Sequence, residues 1–110
     1  MKGDNLGEFE EIVLLSIAAL LEEAYSVALC DHISKMTERK VKLGVVHAVL
    51  NRMEKKGYIK SELGQPTKER GGKRKRFFKI THAGKLALLK SKEQRDRLWR
   101  VIPDSIFQGI

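Results

Sequence analysis

Seven cations crowd one short segment: Lys68, Arg70, Lys73, Arg74, Lys75, Arg76 and Lys79 stand against a single acid, Glu69. Like charges at this density repel one another, so the segment suits an anion that answers them. The competing interpretation is a solvated basic loop with no ligand. Gly71 and Gly72 lie inside the run and let the backbone approach a phosphate closely. A sparser polar set lies upstream at Lys42, His47, Asn51 and Arg52. Lys42 and Arg52 have the charge to meet phosphates. His47 could donate to a phosphate or simply pack against the basic loop.

Other chemistry finds no support. His32, His47 and His82 have no metal-ligand spacing, and Ser16 and Ser26 carry no nucleophile signature. Cys30 is the only cysteine, so neither an intramolecular disulfide nor a thiolate cluster can form. It sits in an apolar helical pattern and is expected to be a small core residue. The glycines of RGGKRK open no helix, unlike a phosphate-cradling loop of the nucleotide-binding kind. No enzymatic activity, cofactor or metal is expected.

The charge distribution sharpens the picture. The chain of 110 residues has net charge +8 and a pI of about 9.8. Residues 1–35 hold 2 basic and 7 acidic side chains; residues 36–110 hold 20 and 7. One surface is therefore expected to face a polyanion while another does not. No apolar run reaches membrane-spanning length, and the start, MKGDNLGEFEE, is unlike a signal peptide. The protein is expected to work in the cytoplasm. Its length suits one compact core.

Four helices and a hairpin must position these residues. Asn5 is a candidate cap for a first helix, with Glu8 bonding back three residues later, and the helix should run to about residue 22. Residues 12–21 are apolar apart from Ser16, which implies burial on more than one side and hence a second subunit. Ser26 can cap a second helix over 27–37, with Leu29, Ile33 and Met36 at helical spacing. A polar turn over 37–42 leads into a third helix over 43–56. Val46, Leu50 and Met53 form its core stripe, with Gly44, Ala48, Asn51 and Lys55 opposite; Gly57 closes it. A strand over 58–63, a loop over 64–73 and a return strand over 76–81 make a hairpin. Alternation puts Phe78 and Ile80 on one side of the return strand, Phe77 and Lys79 on the other. Thr81 then caps a fourth helix that ends before Pro103, polar in its middle and apolar at Leu98, Trp99, Val101 and Ile102.

This order predicts a mainly α fold with a small β-hairpin: a winged helix–turn–helix over residues 1–81 and a C-terminal dimerisation helix and tail over 82–110. The third helix fits a major groove, and the hairpin extends over the neighbouring backbone. Predicted DNA-binding residues are Lys42, His47, Asn51, Arg52, Lys68, Arg70, Lys73, Arg74 and Arg76. Asn51 has the donor and acceptor pair to bond adenine bidentately, although a solvated mid-helix Asn looks the same in sequence. Ile12, Leu15, Leu98, Trp99 and Ile102 are the predicted dimer interface. Trp99 either seals that interface or stacks on a small aromatic effector there. A basic wing could also meet an acidic protein, which would make the domain an interaction adaptor.

The runs LGEFEEIVLLSIAAL, LGVVHAVLNRMEKKGYI and PTKERGGKRKRFFKITHAGK, spanning residues 6–89, resemble the PadR family of bacterial transcriptional regulators. The wing with its Thr-x-x-Gly exit into a helix is the most specific part. The resemblance implies a homodimer in which the helix after the wing packs with the partner's first helix. It also implies inverted-repeat operators, repression as the usual outcome, and release by small aromatic compounds in some members. The length matches the compact branch with a single C-terminal helix. Two positions depart from the pattern: Ser26 replaces the glycine usual after Tyr25, and His47 replaces a tyrosine, keeping a donor with a shorter reach.

Overall fold

The computed structural model describes residues 5–66 and 74–110. Four helices and one hairpin follow in the expected order: α1 (Glu8–Leu20), α2 (Ser26–Thr37), α3 (Leu43–Lys55), β1 (Ile59–Pro66), β2 (Arg74–Ile80) and α4 (His82–Arg100). Short 3-10 turns follow α1 at Leu21–Glu23 and α4 at Asp104–Phe107.

The core is one apolar cluster. Val13, Leu14 and Ile17 of α1 meet Leu29 and Ile33 of α2, with Val46, Val49, Leu50 and Met53 of α3. Ile59 and Phe78 close it from the hairpin. The predicted stripe of α3 is buried, and Val49 joins it one helical step from Val46. Met36 departs from expectation: it is exposed. It lies in the last turn of α2, just before Glu38 takes up a left-handed conformation, so the stripe overhangs the core there. Cys30 is half-buried, and its thiol donates to the Val41 carbonyl (3.2 Å).

Two helix starts differ from the sequence reading. The N-cap of α1 is Gly7 rather than Asn5: the Gly7 N–H donates to Glu10 Oε1 (2.9 Å). Glu8 instead accepts from Arg39 (2.7 Å). An acid three residues after the cap serves in both registers; burial of Glu10 beside the core chooses between them. Ser26 is the first residue of α2, and Tyr25 is its cap without a side-chain bond. Two other helix signals hold. Gly57 has φ 82°, the left-handed cap that ends α3. Thr81 Oγ1 accepts from the Gly84 N–H (3.1 Å) at the start of α4. Gly84 is buried against the Tyr58 carbonyl and Ile80, and a Cβ there would collide with both.

The antiparallel hairpin is longer than predicted. Ile59 pairs with Ile80, Ser61 with Phe78 and Leu63 with Arg76; the ladder then resumes at Pro66 and Arg74 after a bulge. The extra residue lies around Gly64, which reads as a loop start from sequence but here carries the strand onward. The far edge of β2 is covered by residues 24–25: the Phe78 N–H donates to the Ala24 carbonyl (2.8 Å), and Tyr25 bridges Phe77.

The molecule is elongated, 58 × 34 × 21 Å, with a radius of gyration of 16.6 Å. A sphere-like chain of this length would have about 13 Å. Both the hairpin and α4 are long for so small a core. The 19 residues of α4 extend about 28 Å, and only Gly84, in its first turn, is buried.

Candidate nucleic-acid interface

The first turns of α3 are open to solvent. Lys42, Leu43, Gly44 and Val45 are exposed, as are His47, Ala48, Asn51 and Arg52 further along. Helix periodicity alone would allow this; the burial of Val46, Val49, Leu50 and Met53 on the other side establishes it. The helix N-terminus therefore presents its unpaired N–H groups and positive dipole end to solvent.

The hairpin adds cations beside this helix. Arg74 and Arg76 share a strand face with Phe78, which dips into the core, while Lys75, Phe77 and Lys79 take the other. Arg76 donates to Ser61 Oγ (3.1 Å), and Ser61 donates to Glu54 Oε2 on α3 (2.8 Å). This series of bonds ties Arg76 of the hairpin to α3. Arg74 donates through Nε to the Gly64 carbonyl (2.7 Å), so the bulge and the arginine hold one another. On the reverse face Lys79 pairs with Glu62 (3.2 Å), and Lys75 lies over the Tyr25 ring, 4.2 Å from its centroid. Tyr25 also meets Phe77 edge to face, with centroids 5.7 Å apart. Lys68, Arg70 and Lys73 fall outside the described residues.

The model of the transcriptional regulator PadR-like family matches residues 14–90, which is most of the chain. The chain belongs to the PadR-like family. Solved structures agree with that. A PadR family transcription regulator from Clostridium difficile shares 25% identity over 84% of this chain and 93% of its own, with a TM-score of 0.69. A PadR-like transcriptional regulator from Bacillus cereus shares 22% identity over 93% of both chains, with a TM-score of 0.73. A transcriptional regulator from Clostridium thermocellum shares 23% identity over 92% of this chain and 91% of its own, at 0.68. The last two establish the fold. No curated protein matches the sequence. The mainly helical winged fold is thus that of PadR-like transcriptional regulators, a family of regulators and not of enzymes.

One residue that engages α3 of this PadR-like chain is absent from the sequence-based set. Glu10 is almost fully buried, yet its carboxylate reaches α3: Oε2 accepts from Arg52 Nε (3.0 Å) and Lys56 Nζ (2.9 Å). Burial pushes its carboxyl up, but the Gly7 N–H and the Lys56 and Arg52 donors outweigh that and hold it below its ordinary value of 4.5. It is therefore ionised at neutral pH. A signal existed in the sequence, because Glu10, Val13, Leu14 and Ile17 follow one helical stripe. An acid on a core stripe needs a partner, though the stripe alone does not say which.

The predicted dimer residues divide in this single PadR-like protomer. Ile12 packs half-buried against the core. Leu15, Leu98 and Trp99 are 51%, 68% and 63% exposed, and Ile102 is half-buried. Leu15 and Trp99 come together across a depression of about 490 Å³ between α1 and α4, where Arg95 pairs with Glu11 (2.6 Å). Leu98 does not line it. A larger apolar groove of about 620 Å³ runs beside it, lined by Ile17, Leu21, Phe78, Ile80 and Leu88 among others. Trp99 stacks on Phe107 of the tail, with centroids 6.0 Å apart and planes 22° apart. No helix among the described residues is long and apolar enough to cross a membrane.

Proposed function

We propose that the protein is a cytoplasmic, homodimeric repressor that binds inverted-repeat operators in double-stranded DNA. The observation that carries this is the solvent-exposed side of α3 with the hairpin beside it, Arg76 being linked to α3 through Ser61 and Glu54. Lys42 and Arg52 would meet phosphates and His47 would donate to the backbone, while Asn51 reads an adenine edge. The wing cations Lys68, Arg70, Lys73, Arg74 and Arg76 would neutralise the flanking phosphates. Residues 82–110 serve dimerisation: exposed Leu15, Leu98 and Trp99 and the apolar groove need a cover, and a second copy brings matching surface by two-fold symmetry. A gel shift with random-sequence duplex at low salt tests the reading against a protein-interaction adaptor. The repressor retards the duplex, and Asn51→Ala changes which sequences it prefers; a protein that leaves random duplex unretarded is not this repressor.

Trp99 supports a ligand-responsive form of the same reading. Its ring already carries a planar partner, Phe107, and a small aromatic effector would compete for that face at the subunit interface. Trp99 is the only tryptophan, so its fluorescence reports directly. Planar aromatic compounds should quench it and release DNA; a broad panel that leaves the emission unchanged eliminates the effector.

A further inference from the structure

We infer that Glu10 is a positioning residue of the DNA interface, acting through Arg52. The inference rests on the reading above, in which the exposed face of α3 meets DNA. Three donors converge on this one carboxylate. The Gly7 N–H meets Oε1 (2.9 Å), while Arg52 Nε (3.0 Å) and Lys56 Nζ (2.9 Å) share Oε2. Both oxygens are engaged, so the carboxylate cannot rotate without breaking a bond. It ties the first residue before α1 to the last turn of α3, 42 residues away for Arg52.

Burial is graded across the cluster. The Glu10 side chain is 7% exposed, and that of Arg52 is 51% exposed. The acid lies behind and the guanidinium in front. Arg52 commits Nε to the carboxylate, and its side chain as a whole remains half exposed. A guanidinium fixed along one edge presents the other in a set direction, and its planar fork matches a phosphate. The entropy of ordering a long side chain is then met on folding rather than on binding. Arg52 also directly follows Asn51, so a fixed Arg52 sets the approach of the base-reading position.

The sign of the effect separates this role from plain electrostatics. Removing a negative charge beside a polyanion should strengthen binding if charge alone matters. Removing a positioning bond should weaken it. The test measures affinity of the full chain for a random-sequence duplex across a salt series. It compares the unaltered protein, Glu10→Gln, Arg52→Ala and the double variant, with thermal melts alongside. Glu10→Gln should weaken binding on the order of tenfold, the scale of one charge-assisted hydrogen bond. The slope of log K against log salt should shrink by about 0.9 for each phosphate that Arg52 no longer neutralises. In the Arg52→Ala background Glu10→Gln should add nothing. Should Glu10→Gln fail to fold, Glu10→Asp decides, because it keeps the charge and withdraws the oxygens by one methylene. Equal or tighter binding, an unchanged slope, or the same weakening with and without Arg52 overturns the assignment. A chain that ignores duplex altogether while folded removes the DNA reading itself, whereas a binding chain indifferent to Glu10 removes only this role.

Discussion

Raising the salt from 50 to 200 mM should lower the affinity for duplex DNA by roughly 10³–10⁵, provided the dimer makes about 6–10 phosphate contacts. Each phosphate neutralised releases condensed counterions, and added salt opposes that release. Exposed cations are available for it: Lys42 and Arg52 on α3, and Arg74 and Arg76 on the hairpin, twice over in a dimer. Arg74 and Arg76 are held by Gly64 and Ser61, so they would approach a phosphate already oriented. Arg74→Ala or Arg76→Ala removes one cation from each protomer and should lower the slope by about 1.8 per dimer, with similar weakening for all sequences. Fluorescence anisotropy of a labelled duplex across the salt series measures both. An affinity flat over this range would end the phosphate-based account.

The second large effect concerns assembly. Leu15→Asp and Leu98→Asp should each convert a dimer to a monomer and reduce affinity for an inverted repeat by roughly 10²–10⁴, the gain that linking two sites confers. Both side chains are more than half exposed in the single protomer. The fold of each protomer should therefore survive, since substitutions outside a packed environment cost little. A subunit interface, by contrast, does not tolerate a buried charge without a partner. Sedimentation or light scattering gives the mass, and a melt confirms the fold. An unaltered chain that runs as a monomer would remove the dimeric reading, and so would folded variants that remain dimeric and bind as before.

Much of this interface is legible along the chain because its signals are local. The α3 face follows from one helical period, in which Val46, Leu50 and Met53 turn inward and Lys42, His47 and Asn51 turn outward. The alternation of Phe77 and Phe78 places Arg76 on the face of Phe78. Thr81 and Gly57 mark helix ends through bonds spanning a few residues. The α1 cap is harder, since Asn5 with Glu8 and Gly7 with Glu10 satisfy the same spacing. Arg39, which draws Glu8 outward, and the α3 cations, which hold Glu10 in, decide between them. The hairpin ladder extends past Gly64 because a bulge absorbs one residue, and nothing local distinguishes that glycine from a loop opening.

By itself, the sequence determined the winged architecture, the family and the face of α3 that is free, because periodicity, turn chemistry and charge runs act over a few residues. Only the tertiary structure decided that Glu10 meets Arg52 and Lys56, that Met36 overhangs the core, and that Ile12 packs inward while Leu15 and Trp99 share a depression. Those outcomes depend on how helices distant in the chain lie against one another. A helix period gives the direction in which a side chain points and leaves open what it meets there.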